Sequence, residues 1–467
     1  MLREMIRKSI PALFLAALPA LAQLSPATQD AIDATVKKTL AASGVASASI
    51  AVVQDAKIAY AHAYGDARLD PRMPAAPAMR YKIGSNTKQF TATAVLLLCE
   101  QGKLSLDDSV AKYFPGLTRA SQITIRQLLS HTSGYEDYYP LDYVAPFMAR
   151  KTTPQAILDG WAKKPLNFDP GARWQYSNTN YVIAGQIVEK AAGMPLFDFL
   201  RQRVFGPLQM HSAIDVDRDQ WSPKDPVGYT RFALGPSRPV ESEGSGWADA
   251  AGELAMSAGN LALWDISLMK GSILKPESLR ALTTEVPLKN GSGTGYALGL
   301  GVSNRDGHRI WAHGGGVAGF ISRNMTLPDD RISITVFTNQ DDPAAGRIAQ
   351  DIEQILIAPP VDPQAAASLQ TARRIFQDLQ QGKFDRSQFT ADANAYFTPQ
   401  AVADFTASLS PLGAATSFVQ TRAGDRGGMR YRDFSIRTAT RSLTLSTFTT
   451  PDGKLAQYLV HPAAPGN

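Results

Sequence analysis

The sequence predicts an α+β fold in which one antiparallel sheet is built from both ends of a first domain. Two strand-like segments flank a short turn near the amino terminus, at 48–53 and 57–64. Between about residues 86 and 270 the patterns are those of helices and loops. Strand patterns return at Tyr296–Val302, Arg309–Ala312, Phe320–Leu327 and Arg331–Thr338. This order predicts that the helical segment is an insertion within the sheet domain.

Helices are predicted to flank the sheet and to form the insertion. Pro26–Ala42 precedes the first strand, and Ala344–Ile357 follows the last one. Within the insertion, Ser85–Gln101 ends at Gly102, a residue type that favours the left-handed conformation at a helix end. Further helices of the insertion are predicted after the capping pattern Thr124–Gln127 and at Asn180–Ala192.

A second, smaller domain is predicted at the carboxyl end. Three prolines within 359–363 indicate a linker after a main domain that covers 23–358. Residues 364–467 are numerous enough for a separate α+β domain. Its predicted elements are a helix at Gln364–Gln381 and strands at Met429–Ile436, Ser442–Thr449 and Leu455–Val460.

The first 22 residues have the pattern of a secretory signal. Three basic side chains precede the short apolar run Ile10–Leu18, and Ala20-Leu21-Ala22 fits a cleavage site. The run is too short to cross about 30 Å of hydrocarbon, so no stable membrane anchor is expected. We therefore expect an exported protein, either periplasmic or secreted.

Charge and cysteine content exclude several classes of function. The formal net charge of +5 is small for 467 residues and includes the basic signal, which argues against a nucleic-acid partner. Cys99 is the sole cysteine, so an intrachain disulfide and a cysteine metal cage are excluded. It lies in an apolar run and is expected to be a buried hydrophobic residue. Histidines His308 and His313 have no third or fourth ligand beside them, so no metal is expected.

The first candidate for catalysis is the segment Gly84-Ser85-Asn86-Thr87-Lys88, which opens a predicted helix. Ser85 and Lys88 are three residues apart and therefore share one helical face. A serine hydroxyl needs a base, and a lysine can be that base where burial and the helix dipole disfavour its charge. A helix-capping serine beside a solvated lysine would give the same pattern, so this motif alone is weak.

Two further motifs supply complementary chemistry. Tyr176 stands near a predicted helix start and can transfer protons if neighbouring positive charge lowers its pKa, while Asn178 can hold the lysine and donate to a substrate carbonyl. His313 opens a glycine-rich segment after a predicted strand. The backbone N–H groups of Gly316 and Ser85 are expected to form an oxyanion hole, with His313 supplying a polar group beside it. The glycines of this rim are Gly314, Gly315 and Gly316.

The ordered combination of these three motifs resembles the serine β-lactamase and penicillin-binding-protein superfamily, in its class-C-like branch. Residues 128–134, 251–257 and 313–320 add to the resemblance, which spans about residues 30–357. It implies a β-lactamase/transpeptidase-like fold with a helical subdomain and the site in the cleft beside the sheet. It also implies that Ser85 is acylated, that Lys88 is its base and that Tyr176 is the second proton-transfer group. Asn178 would support both of them.

The resemblance implies a serine acyl hydrolase that needs no cofactor and acts on a small molecule or peptide. The third motif is His-Gly-Gly where β-lactamases of this branch usually have Lys-Thr-Gly, which favours D-amino-acid peptidases and carboxylesterases over efficient penicillin hydrolysis. D-amino-acid amide bonds are the expected target. A broad carboxylesterase, a weak β-lactamase and a non-catalytic protein that binds peptides or β-lactams are the alternatives. The oligomeric state is left open.

Other polar residues have two interpretations each. Arg323 either binds a substrate carboxylate or points to solvent. The four tyrosines Tyr135, Tyr138, Tyr139 and Tyr143 either wall the cleft or form a packed surface loop. His131 is predicted to be structural, at the end of a helix.

Overall fold

The computed structural model describes residues 23–357, 362 and 364–463. The predicted signal 1–22 and the predicted linker, apart from Asp362, lie outside the described residues. The described residues form two compact units that divide between Ile357 and Ala358. Among the residues that the structure describes, no helix is both long and apolar enough to cross a membrane.

The strands of the first unit form one large sheet and several short ladders. The large sheet has the strand order β3-β2-β1-β12-β11-β10-β9 and is antiparallel throughout. The strands are β1 (Ser47–Gln54), β2 (Lys57–Leu69), β3 (Arg72–Pro74), β4 (Tyr81–Lys82), β5 (Ile214–Asp215), β6 (Tyr229–Thr230), β7 (Arg238–Pro239), β8 (Leu254–Met256), β9 (Gly301–Arg305), β10 (His308–Val317), β11 (Phe320–Leu327) and β12 (Ile332–Thr338).

Ten α-helices accompany these strands in the described part of the first unit. They are α1 (Pro26–Ser43), α2 (Thr87–Glu100), α3 (Ile125–Leu129), α4 (Pro154–Ile157), α5 (Asn178–Ala192), α6 (Leu196–Leu200), α7 (Asp249–Gly252), α8 (Ala258–Lys270), α9 (Pro276–Thr283) and α10 (Ala344–Leu356). Shorter 3₁₀ turns occur at Gly84–Asn86, Val110–Lys112, Ala120–Gln122 and Pro146–Ala149, and π-helical turns at Leu158–Ala162 and Arg201–Phe205.

Both faces of the large sheet are covered. On β12, Ile334 and Val336 point into the core beneath α1 and α10, whereas Phe337 points into the core shared with the helical insertion. Helix α8 packs on β1 and β12 from that second side. Because both faces are buried, every residue of β12 is buried.

The α+β prediction and the pairing of both chain ends in one sheet are confirmed, with two corrections. The predicted strand Tyr296–Val302 is wrong. Tyr296 makes only an isolated bridge to Gly301, and strand β9 begins at Gly301. His313–Gly316 do not follow their strand but lie inside β10, paired with β11. Pairing with β11 keeps these glycine-rich residues extended, although glycine has a low intrinsic preference for strands.

The second unit is a four-stranded antiparallel sheet packed against helices. Its strands are β13 (Ser417–Arg426), β14 (Met429–Arg437), β15 (Ser442–Thr449) and β16 (Leu455–Pro462), in that spatial order. Its helices are α11 (Ala365–Gln380), α12 (Ala391–Tyr396) and α13 (Pro399–Leu409), with 3₁₀ turns at Arg386–Gln388 and Ser410–Leu412. Phe376 and Leu379 of α11 pack against Phe434 and Leu445 of the sheet. Strand β13 and the last two helices are absent from the sequence prediction.

Candidate active site

Ser85 lies in the 3₁₀ turn that leads directly into α2. The turn follows β4, which is paired with β8, and its first residue, Gly84, has a φ of +51°. Ser85 is partly exposed and lines a cavity of about 410 Å³. Its hydroxyl therefore lies at the positive end of a 14-residue helix, where negative charge on oxygen is favoured.

Lys88 is buried one turn further along and its amine contacts three oxygens. Lys88 Nζ lies 2.9 Å from Ser85 Oγ, 2.7 Å from Asn178 Oδ1 and 2.8 Å from the Ala251 carbonyl oxygen. Burial lowers the pKa of Lys88 to about 7, and the charge of Asp137 opposes this shift. A substantial fraction of the amine is consequently uncharged at neutral pH and able to accept the proton of Ser85.

Tyr176 lines the same cavity as Ser85, and its ring centroid lies 4.9 Å from Lys88 Nζ. The expectation that positive charge lowers the pKa of this phenol is wrong. Burial raises the pKa of Tyr176 above its usual value, and the nearby Ser85 hydroxyl only partly opposes the rise. Tyr176 therefore keeps its proton at neutral pH and is equipped to donate rather than to accept.

The glycine-rich segment of β10 lies against the Ser85 turn. A Cβ atom on Gly315 would lie 1.9 Å from the Ile83 carbonyl oxygen and 2.4 Å from Ser322 Oγ. One on Gly84 would lie 2.8 Å from the Gly316 nitrogen. Only glycines permit this approach, which brings the Ser85 and Gly316 backbones to one cavity wall.

Side chains of β11, the Ser85 turn and α2 hold the Ser85 turn against the sheet. Ser322 Oγ donates to the Ile83 carbonyl at 2.7 Å and accepts from Asn86 Nδ2 at 2.8 Å. Gln89 Nε2 donates to Asn86 Oδ1 at 2.9 Å, so the links form a buried network. These bonds fix the distance between the serine and the glycine rim.

His313 lines the cavity as an uncharged ring. Burial lowers the pKa of His313 to about 3, and the charge of Lys88 lowers it further. His313 Nε2 lies 2.8 Å from the Tyr296 hydroxyl, and Nδ1 contacts the Gly314 carbonyl. Both ring nitrogens are thus engaged within the protein, and His313 supplies no positive charge.

Arg323 also lines the cavity, beside Gly314 in the β10–β11 register. Burial lowers the pKa of Arg323 below its usual value, and the charge of Arg305 acts in the same direction. The nearby Glu353 carboxylate is 3.0 Å from Arg305. Arg323 itself has no ion pair or side-chain hydrogen bond among the residues in the described ranges. Arg323 thus contributes a cationic residue to the lining of the cavity.

Three residues beside the site were missed or undervalued by the sequence analysis. Asp137 hydrogen-bonds to Asn178, and Tyr296 to His313. His131 has a φ of +60° just beyond α3, and its ring centroid lies 4.3 Å from that of Tyr176. The stretch 128–134 had singled out His131, for which the sequence predicted a structural role at the end of a helix, and its position just beyond α3 agrees with that role.

The remaining candidates lie away from the cavity. Tyr135 and Tyr138 are buried, Tyr139 is half-buried and Tyr143 is exposed, so the tyrosines form a packed loop and none lines the cavity. Cys99 is only partly buried, and burial raises its pKa to about 11. Among the residues whose placement is described, no group of three or more His, Cys, Asp or Glu side chains is arranged to hold a metal.

A hydroxyl in contact with a buried, partly uncharged amine at the floor of a cleft defines a serine hydrolase. The Beta-lactamase family profile matches residues 32–358, and the chain therefore belongs to the Beta-lactamase family. The sequence resemblance and the β-lactamase/transpeptidase-like fold are thereby confirmed.

Individual relatives are similar over the same region. A penicillin-binding protein of Bacillus subtilis (strain 168) is 27% identical over 348 residues, which cover 70% of this chain and 76% of the relative. Protein flp of Staphylococcus aureus (strain MW2) is 28% identical over 331 residues, 68% of this chain and 64% of that protein, so the match spans less than two thirds of its length. The solved D-stereospecific amidohydrolase from Streptomyces sp. is 29% identical, with a TM-score of 0.60, and the match covers 71% of this chain and 99% of that one.

Proposed function

We propose that this serine hydrolase cleaves D-amino-acid peptide or amide bonds through an acyl-enzyme on Ser85. The observation that carries the proposal is the triple contact of the buried Lys88 amine with Ser85, Asn178 and the Ala251 carbonyl. The similarity to a D-stereospecific amidohydrolase and to a penicillin-binding protein supports the substrate class. The signal-like segment 1–22 supports the proposal that the enzyme acts outside the cytoplasm.

Acylation follows from the positions of the polar groups. Ser85 Oγ attacks the substrate carbonyl carbon, and its proton passes to the neutral amine of Lys88. The developing oxyanion accepts hydrogen bonds from the Ser85 and Gly316 backbone N–H groups. Tyr176 donates its proton to the leaving nitrogen as the C–N bond breaks, and it recovers one from Lys88.

Deacylation reverses the proton transfers with water in place of the amine. The neutral amine of Lys88 takes a proton from a water molecule as the water oxygen attacks the ester carbon, and Lys88 returns a proton to Ser85 Oγ as the C–O bond breaks. The products are the free carboxylic acid and the unchanged enzyme, so atoms and protons balance without a cofactor.

The test is covalent labelling followed by a substrate panel. Intact-protein mass after exposure to a fluorescent penicillin or an activated ester is expected to rise by one acyl group. Ser85→Ala should abolish the increase, and Ser272→Ala, at an exposed position, should retain it. A D-Ala-D-Ala peptide, a D-aminoacyl anilide, a short nitrophenyl ester and a chromogenic cephalosporin then rank the substrates. Turnover of the ester alone would identify a carboxylesterase, and no adduct with any donor would leave only a binding protein.

The unpaired Arg323 supports substrates that carry a free carboxylate, as in the carboxypeptidase type of reaction. Arg323 lines the cavity, and a guanidinium can form bidentate bonds to a carboxylate. A hydrogen bond to a charged group contributes about 1.5–3 kcal/mol, so we expect Arg323→Gln to raise KM for a free-carboxylate peptide about 10–100-fold. KM for the same peptide with an amidated carboxyl end should change little.

Arg309→Gln is the matched control, because Arg309 is exposed and pairs with Asp329 on the same hairpin region. It should leave both KM values unchanged. If Arg323→Gln raised KM equally for the free and the amidated peptide, a carboxylate-binding role would be contradicted.

A further inference from the structure

The carboxylate of Asp137 is surrounded by N–H donors beside the candidate active site. Its Oδ1 accepts the Asn178 backbone N–H at 2.9 Å, Asn178 Nδ2 at 3.1 Å and the Tyr139 backbone N–H at 3.1 Å. Its Oδ2 lies 3.3 Å from the same Asn178 Nδ2. Asp137 thus binds both the backbone N–H and the side-chain amide of Asn178, the first residue of α5.

These bonds decide which end of the Asn178 amide faces Lys88. An ionised carboxylate only accepts hydrogen bonds, so the NH₂ end of the amide must point to Asp137. The oxygen end then points to Lys88, where Oδ1 lies 2.7 Å from Nζ. A reversed amide would place its N–H donors against the N–H donors of Lys88. It would also place the amide oxygen against the Asp137 carboxylate, and both of these groups only accept hydrogen bonds.

The amide orientation in turn directs the amine. A neutral lysine amine has two hydrogens and one lone pair. The Asn178 Oδ1 and Ala251 carbonyl oxygens take the two hydrogens, which leaves the lone pair for the Ser85 hydroxyl proton at the third contact. With the amide reversed, its N–H donors would compete for that lone pair.

Asp137 also supplies the negative charge that acts on Lys88. The phenols facing the amine are raised in pKa by burial and stay neutral, and burial lowers the pKa of the two imidazoles, which stay neutral as well. On α7, whose carbonyl contacts Nζ, burial raises the pKa of Asp249 to about 7 and that of the neighbouring Glu253 well above its usual value. The titratable groups near the Lys88 amine, apart from Asp137, are Tyr176, Tyr181, His131, His313, Asp249 and Glu253.

We propose that Asp137 is a positioning residue that locks the Asn178 amide so that the Lys88 lone pair faces Ser85. Its negative charge also favours the protonated form of that lysine, against the effect of burial. The role rests on the proposed acyl-enzyme function. Asp137 touches no reacting atom and acts only through Asn178 and Lys88.

The test compares Asp137→Asn with Glu136→Gln, which removes the adjacent carboxylate that pairs with Lys164 on the surface. The pH dependence of Ser85 acylation is measured with an activated ester. Because a negative charge near Lys88 favours its protonated form, Asp137→Asn is expected to move the acid limb to lower pH. Misalignment of the amine is expected to lower the plateau rate by up to about 10²-fold, and Asp137→Ala to lower it at least as much. Glu136→Gln should change neither quantity.

A purely structural role would lower the melting temperature without moving the acid limb. An unshifted limb in a folded Asp137→Asn protein would therefore overturn the proposal. The titration of Lys88 is also followed by NMR of ¹⁵N-lysine-labelled Ser85→Ala protein with and without Asp137→Asn, where the lysine pKa is expected to fall. This second measurement needs no turnover, so a protein that is never acylated would refute the proposed function while the role of Asp137 is still decided.

Discussion

Replacing Lys88 by methionine is expected to slow acylation of Ser85 by about 10²–10⁴-fold at pH 7, the range typical of a lost general base. Methionine has similar length and fits the buried site, but it cannot accept the serine proton. Stopped-flow acylation with an activated ester measures the effect. Lys190→Met, an exposed change on the helix that begins at Asn178, is the control and should acylate at the normal rate.

The acylation rate of the unaltered protein should also depend on the protonation of Lys88. Burial depresses the pKa of Lys88 to about 7, so the base is mostly protonated below that pH and mostly free above it. The acylation rate should therefore rise with pH and level off above about pH 8. An acylation rate in Lys88→Met that equals the normal one, with the same acid limb, would assign the base to another group.

The sequence predicts the arrangement of candidate site residues only where their spacing along the chain determines their geometry. Ser85 and Lys88 are one helical turn apart, so a helix alone places both on one face. Tyr176, Asn178 and the glycines of β10 are far from them along the chain, and family resemblance rather than spacing associated them with the serine. In the structure, Tyr176 and the glycines line one cavity with Ser85, and Asn178 contacts Lys88.

Other features depend on burial and on partners that only the folded chain supplies. The pKa of Tyr176 rises because burial of the phenol outweighs the hydrogen bond with Ser85 that would lower it. His313 is uncharged for the same reason. Asp137 is one of three acidic residues in a loop, and nothing in its spacing indicated that it meets the amide of Asn178, 41 residues further on. The strand position of the glycines came from pairing with β11, which local sequence does not encode.

The glycine at position 315 gives the second large effect. A methyl group there would meet the Ile83 carbonyl oxygen at 1.9 Å and Ser322 Oγ at 2.4 Å, and these two atoms are already hydrogen-bonded to each other. The contact at 1.9 Å is with a backbone atom, which no side-chain rotation can relieve, so β10 and the Ser85 turn must separate. A misplacement of about 1 Å costs about 10²-fold in rate, and we expect Gly315→Ala to slow acylation by at least that factor.

The loss should arise in the transition state, because separating Ser85 from Gly316 weakens the proposed oxyanion hole, while Lys88 keeps its contacts with Ser85 and Asn178. Removing one oxyanion donor typically costs about 10²–10³-fold in kcat, so kcat rather than KM should carry the effect. Overpacking also costs about 1–3 kcal/mol of stability, which denaturant unfolding of the same variant measures. Gly259→Ala, in α8 with no atom within 4 Å of the added methyl group, is the control. A Gly315→Ala protein of normal kcat would mean that the strand and the turn need not touch for catalysis.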